Sequence, residues 1–311
     1  ISFLSICKPE QREALTIGGT MMDIMQPAMQ FEAGACCQNR CLTGIQPQAD
    51  LTTLSSLQAR MQPIPANYAA WWMCLLPVAA MKQAGLPMPF FIKMDDVEYA
   101  LQIKEQVVMM TGVCVWHENF HLKYAPWNEY YITRNGCITY ALHGQAKNAL
   151  AVTLELWRTV LHLLFLHRYD TAKFVLQGYR DFLRGWKWLQ KMDAITLHRQ
   201  ILQQQQAATE QFQIDCTEVP NSIPQVSFFE ATRAAVQKQK SVFLFHPFTK
   251  KGFYASRKKG TAFQLLLKMG GISLRMLATY RSVVQGFQKN RTVLCEDAAW
   301  NRRNQHNSKG K

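Results

Sequence analysis

Partway along this 311-residue chain the apolar residues change their period, and that change limits the fold to two differently built parts. In the first part, short apolar runs are broken by Pro and Gly. Pro77 suits the first turn of a short helix ending near Gly85, Phe90–Lys93 reads as a short strand, and valine-rich Gln106–Trp116 reads as another. From Trp127 to about Gln206 the apolar residues instead recur at three and four, as in Leu154, Trp157, Leu161, Leu164 and Phe165, which predicts three or four consecutive helices. Beyond the Pro220/Pro224 loop the sequence predicts a helix around Phe228–Lys238. Ser241–Phe245 and Gly252–Ala255 can pair as a hairpin, and Thr261–Gln288 returns to helical spacing. The fold class is α/β: an α/β region over 1–145, then a basic, mainly helical domain over 146–311 with a hairpin near 241–255.

Charge divides the chain at the same place. Residues 1–150 hold 10 Lys+Arg against 11 Asp+Glu, whereas 151–311 hold 25 against 10, and the stretch 238–311 alone carries 16 against 2. With 48% hydrophobic residues the chain can bury a core, which excludes wholesale disorder. No run of eighteen uncharged apolar residues exists; Ala151–His167 comes nearest but carries Glu155, Arg158 and His162. Nine irregularly spaced cysteines fit reduced thiols in a cytosolic setting, and Cys36, Cys37 and Cys41 lack a second pair to complete a zinc tetrahedron. The tail from Asn301 is polar, basic and expected to be disordered.

Three features carry candidate chemistry. His117-Glu118-Asn119-Phe120-His121 matches H-E-x-x-H, but zinc-protease chemistry needs both histidines one turn apart on a helix, and this segment leaves a strand. Asp95 and Asp96, with Glu98, sit where they can serve either a helix N-terminus or proton abstraction by a tuned carboxylate. Trp71-Trp72, read as strand residues, would point to opposite faces, one buried and the other lining a cleft, where an indole face suits a sugar ring.

Taken in order, Gly18-Gly-Thr-Met-Met-Asp, Phe31-Glu-Ala-Gly-Ala, Asn67-Tyr-Ala-Ala-Trp-Trp, Gly85-Leu-Pro-Met-Pro-Phe-Phe-Ile-Lys-Met-Asp-Asp-Val-Glu-Tyr, Gly112-Val-Cys-Val-Trp-His-Glu and Tyr130-Tyr-Ile-Thr-Arg-Asn resemble galactofuranosyltransferases, inverting GT-A glycosyltransferases of family two. Asp181-Phe-Leu-Arg-Gly and Trp188-Leu resemble the helical C-terminal region of that family. The resemblance implies the C-terminal half of a GT-A domain followed by a helical domain. It implies that Asp96 is the base for the acceptor hydroxyl and that Asp95 holds the acceptor or positions its neighbour. Trp71, Trp72 and Trp116 would shape the acceptor site, and His117 would ligate Mn²⁺ or Mg²⁺ on the donor diphosphate. Asp96 and His117 are then expected to face one cleft. The implied partners are a nucleotide-sugar donor (best UDP-galactofuranose), a polyprenyl-linked or cell-surface glycan acceptor, and an anionic membrane surface met by Lys250, Lys251, Arg257, Lys258 and Lys259 at the inner face of the cell membrane. Self-association is compatible with it. Nucleic acid is not implied, since no recognition motif accompanies the charge.

The sequence departs from the family in two ways. Met94 stands where the family has a tryptophan before its acid pair, and no Asp-x-Asp occurs anywhere. With a non-Met start, these departures lead to the expectation of a truncated chain that binds sugar nucleotide poorly and turns over little. A rhamnosyl- or hexopyranosyltransferase of the same family is the nearest alternative, and a non-catalytic basic binding remnant the alternative from another class.

Overall fold

The computed structural model describes Lys8, 15–38, 40–45, 48–61, 66–104, 106–145, 148–296 and Trp300; the expected disordered tail from Asn301 lies outside the described residues. The chain forms two compact units. One comprises the described residues up to Lys123 with Leu142–Gln145 and the segment from Arg291; the other comprises Tyr124–Ala141 and the stretch ending at Asn290.

The first unit is a mixed α/β structure built on β1 (Leu15–Asp23). Along one edge β1 pairs in parallel with β7 (Gln106–His117), from Leu15↔Gln106 to Asp23↔His117. Along the other it pairs antiparallel with β2 (Met29–Glu32) and with β6 (Cys74–Leu75). A hairpin of β3 (Ala35–Gln38) and β4 (Cys41–Gly44) follows β2, and β5 (Ala49–Asp50) pairs with β2. Three helices complete the chain to β7: α1 (Leu54–Arg60), α2 (Val78–Ala84, closed by Gly85) and α3 (Asp95–Ile103). Cys36, Cys37 and Cys41 lie on the β3–β4 hairpin as free thiols.

Gly18-Gly19 has a steric cause. A Cβ on Gly18 would lie 2.6 Å from Ala69 Cβ and from Met109 Sδ, and one on Gly19 would lie 2.5 Å from Met73 Cγ. The segment holding the tryptophan pair therefore packs directly on β1. Gly19 N–H donates to Met73 O (3.0 Å), and the Trp72 indole N–H donates to Gly19 O (3.2 Å).

Two strands expected from the sequence are absent. Trp71 and Trp72 occupy a turn ahead of β6, because their backbone follows the glycine contact instead of a ladder. Phe90 is in irregular chain and 91–93 form bends. Lys93 and Met94 both take positive φ (65° and 66°), and this left-handed pair turns the chain straight into α3.

The second unit opens with the helices α4 (Asn128–Leu142), α5 (Ala149–Phe165), α6 (Tyr169–Phe182), α7 (Trp186–Lys191) and α8 (Ala194–Gln206). A four-stranded sheet in the order β8-β11-β10-β9 follows. It is made from β8 (Ile214–Asp215), β9 (Gln225–Ser227), β10 (Ser241–Phe245) and β11 (Lys251–Ser256), with β10 and β11 antiparallel. The helix expected over Phe228–Lys238 shrinks to α9 (Arg233–Val236). Phe228 N–H instead donates to Phe245 O (2.8 Å), extending the sheet, and its ring enters the core with Val242, Leu244 and Phe253. α10 (Lys259–Lys289) is the long helix of this unit, and α11 (Arg291–Cys295) belongs to the first.

Two sequence motifs of this unit meet in its interior. Fully buried Arg134 donates to Tyr130 Oη (3.1 Å) and Asn135 Oδ1 (2.8 Å) and lies over the Tyr130, Tyr131 and Trp188 rings, while Tyr130 O–H donates to Asp181 Oδ2 (3.1 Å). These residues build the core of the unit.

Gly19→Ala is expected to destabilise the fold by about 1–3 kcal/mol, the range for overpacking a tight contact. Gly44→Ala, whose methyl would meet nothing nearer than 4.0 Å, is expected to change little. Chemical denaturation of both variants checks the contrast.

Candidate functional site

Four side chains of the first unit, His117, Trp72, Phe31 and Lys93 from four different segments, meet the Phe120 ring. Its centroid lies 5.3 Å from His117, 5.9 Å from Trp72 and 5.9 Å from Phe31, with Lys93 Nζ 5.7 Å away. Phe31 precedes Glu32, and Lys93 closely precedes the acid pair, so one aromatic side chain gathers the ends of β2 and β7, the tryptophan turn and the entry to α3. Sequence reading passed over Phe120 because it lay inside the H-E-x-x-H match.

Asp95 and Asp96 open α3, where the free amides and dipole of a helix N-terminus favour carboxylates. Asp96 Oδ2 accepts a 2.6 Å hydrogen bond from Tyr68 O–H, and Oδ1 accepts from Val97 N–H at 2.8 Å. Tyr68 is buried, and burial together with the Asp96 charge raises its phenol far above the ordinary range, so it stays a donor. Asn67 fixes the position of Tyr68: its side chain accepts from Cys37 N–H (2.7 Å) and donates to Cys37 O (3.0 Å), fastening the segment to β3.

Glu32 is the carboxyl that sequence reading missed. Burial, reinforced by the Asp96 charge, pushes it up to about 7. Burial and then Asp96 raise Asp95 as well, and the same two causes push the Cys74 thiol up to about 11. A lone acid in an apolar strand, Met29-Gln-Phe-Glu, was the available signal; its approach to Asp96 is tertiary.

Glu98, two residues beyond Asp96, plays a different part. It is fully buried, accepts from Met88 N–H (3.3 Å) and pairs with His143 Nε2 (2.9 Å). That pairing anchors α3 and leaves Glu98 unavailable for acid–base work.

The parallel strands β1 and β7 end together with Asp23 and His117 in register, hence on one face of the sheet. The carboxyl ends of parallel strands are where open α/β sheets place ligands. His117 Nδ1 lies 2.7 Å from Glu118 O, and donation there leaves the Nε2 lone pair for another partner, the arrangement usual for metal-ligating imidazoles. Asp23 is buried and accepts from Met25 N–H (2.8 Å) and Asn119 Nδ2 (3.3 Å). Among the described residues no group of three or more His, Cys, Asp and Glu is placed to hold a metal. His117 and Asp23, in register at the strand ends, are the residues here that could contribute to holding a divalent cation, and they fall short of the four protein ligands of a structural zinc site. The protease motif also fails geometrically. His117 ends β7, His121 sits in the 3₁₀ turn Phe120–Lys123, and Glu118 pairs with Lys123 (2.9 Å).

Of the tryptophans, Trp71 is 42% exposed and meets Tyr99 in a T-shaped contact (centroids 5.9 Å apart), while Trp72 is held on β1. Trp116 is 52% exposed, its indole donating to Pro27 O (3.0 Å). The five basic residues fall at two ends of one strand: Lys250 and Lys251 at the β10–β11 turn, and Arg257, Lys258 and Lys259 beyond the far end of β11. At 3.3 Å per residue the two groups are about 20 Å apart.

With this geometry in hand, comparison with known proteins adds two similarities. A stretch of 127 residues is 32% identical to galactofuranosyltransferase GlfT2 of Mycolicibacterium smegmatis, and one of 130 residues is 32% identical to galactofuranosyltransferase GlfT2 of Mycobacterium tuberculosis. This stretch is related to glycosyltransferases. Each match covers 39% of this chain and 20% of the relative, so the matched part spans about a fifth of the curated relatives' length. No family model matches the chain.

A carboxyl whose folded value lies above its ordinary one is protonated in the native state while the unfolded chain has already released the proton. Stability is therefore expected to fall as pH rises from 4.5 to about 7, the window set by Glu32. Glu32→Gln is expected to flatten that fall, and Asp96→Asn to lower the Glu32 midpoint without restoring it to 4.5. Denaturation at several pH values and carboxyl NMR titration check both.

Proposed function

We propose that the first unit is the acceptor-binding part of a metal-dependent, inverting glycosyltransferase, best fitted to galactofuranose transfer from UDP-galactofuranose to a hydroxyl of a lipid-linked or cell-surface glycan. The observation that carries this reading is the Asp96 carboxylate, oriented by Tyr68 and flanked by Glu32 at the head of α3. The kinship with galactofuranosyltransferases supports the choice of sugar.

In this reaction Asp96 accepts the proton of the acceptor hydroxyl as its oxygen forms a bond to the anomeric carbon. The bond from that carbon to the nucleotide diphosphate breaks on the opposite side, which inverts the configuration. Tyr68 on Oδ2 and the Val97 amide on Oδ1 together fix the orientation of the carboxylate, and either oxygen keeps a lone pair for the acceptor proton. Glu32, holding its proton up to about 7, limits the cluster's negative charge while Asp96 remains the acceptor. Trp71 offers an exposed indole face to the acceptor sugar, with Asp95 positioned beside the base. His117 and Asp23 would hold the divalent cation, which when bound neutralises charge on the leaving diphosphate.

Transfer from UDP-galactofuranose to an alkyl galactofuranoside tests the assignment. Asp96→Asn is expected to cut kcat by about 10²–10⁴-fold, the span of general-base contributions, and Tyr68→Phe to lower kcat more than it changes KM. The sequence has no Asp-x-Asp, so acceptor binding is the more direct readout on this chain; Trp71→Ala is expected to weaken it. Unchanged turnover in Asp96→Asn would sink the base assignment, and equal rates with UDP-galactopyranose would sink the choice of donor.

We also propose that the second unit docks on anionic membrane. Among the described residues no helix is long and apolar enough to cross one. What supports docking is α10, which exposes Phe263, Leu267, Leu274 and Leu277 within a stretch, 231–295, that holds 13 Lys+Arg and no Asp or Glu. Leu267→Ser with Leu274→Ser is expected to reduce co-sedimentation with anionic vesicles; binding indifferent both to the variant and to lipid charge would overturn it.

A further inference from the structure

A cleft of about 570 Å³ in the second unit, unconnected with the transferase reading, has the composition of a ligand site. It lies where α6, α8 and α10 come together. α6 and α10 each contribute two cations seven residues apart: Lys173 and Arg180 from the first, Lys268 and Arg275 from the second. Seven residues at 1.5 Å rise place the members of each pair about 10 Å apart along their helix, on nearly the same face. No acidic side chain lines the cleft. Lys173 and Arg180 do hold carboxylates, Asp170 at 2.7 Å and Asp181 at 3.1 Å, but both acids belong to α6 and are largely buried, outside the lining. Arg275 is braced by donating to Leu183 O (3.1 Å). Between the cations the wall is apolar, with Leu176, Leu265 and Ile272.

Gly271 supplies the second observation. It lies well inside the 31-residue α10, where glycine is the poorest ordinary helix former. Its φ is not left-handed, and an added Cβ would meet nothing within 4 Å, so neither backbone conformation nor packing within the protein calls for glycine here. Gly271 also lines the cleft. A bare backbone at that point lets a ligand approach the helix closely.

We propose that this cleft binds an organic phosphate carrying an apolar body. The paired cations suit phosphate oxygens, bidentately at the arginines, and the leucine-lined wall with the open glycine suits a hydrocarbon moiety. The phosphate is borne either by a membrane lipid or by a soluble molecule.

Calorimetric titration of the whole chain with dodecyl phosphate below its micellar concentration tests the site. Saturation at one molecule per chain is expected. Lys268→Glu should weaken it roughly tenfold or more, the scale of a lost charged hydrogen bond. Gly271→Leu should abolish it by filling the cleft, and Lys289→Glu, on the same helix outside the lining, should leave it unchanged. Circular dichroism verifies that each variant is folded. Parallel titrations with phosphatidic-acid vesicles separate the sources: vesicle binding lost in both cleft variants assigns a lipid phosphate, and vesicle binding unaffected by them assigns a soluble one. No saturable binding, equal binding by wild type and Gly271→Leu, or equally tight binding of dodecyl maltoside would overturn the proposal.

Discussion

The first unit depends on a carboxylate that does no chemistry. Glu98 is fully buried, so its cost is tolerable only because His143 and the Met88 amide take up its oxygens. Those two contacts tie α3 to the chain before it and to the segment after α4. Asp95 and Asp96 are displayed at the head of a helix that cannot shift without exposing or orphaning Glu98. Under the proposed assignment of Asp96 as base, such a mount would keep it aligned with an incoming hydroxyl, because small displacements at a reacting centre are costly.

Around this mount the same economy recurs. The tryptophan turn lies on β1 because two glycines leave room for it, and the turn's other end presents Tyr68 to Asp96. Asn67 adds two side-chain hydrogen bonds to Cys37 beside the backbone bridge in which Ala35 N–H donates to Tyr68 O (3.1 Å), so the segment carrying Tyr68 is fastened to β3 at two adjacent residues. Phe120 then fills the space among His117, Trp72 and Phe31, giving the polar groups a common apolar neighbour. Glu32, the next residue of β2 after Phe31, is lifted by its own burial and then by the Asp96 charge.

How much of this the sequence disclosed depended on whether the cause was local. α5 was legible from its spacing, yet Leu154 and Trp157 stand on its exposed side while Val152, Leu156, Val160 and Leu163 are buried; the helix carries two apolar stripes, and periodicity cannot choose between them. α2, bounded by Pro77 and Gly85, and β7, rich in valine, followed from local chemistry. The strand expected at Phe90–Lys93 did not form, because a left-handed Lys93-Met94 pair is imposed by the surroundings and has no propensity to betray it. The motif order exposed Asp95, Asp96 and His117 as candidates. Glu32 and Tyr68 stayed hidden because residues 64 and 28 positions from Asp96 meet it only in the folded chain.

That left-handed pair has a further implication. It starts α3 so abruptly that both aspartates already lie within regular helix, and neighbouring helical side chains diverge by about 100°. Two acids arranged this way cannot converge on a single atom as a dyad would. One is turned to the Tyr68 hydroxyl, and the other is held at the helix head by the backbone amides of Asp95 and Asp96, so the pair offers its two charges in separate directions.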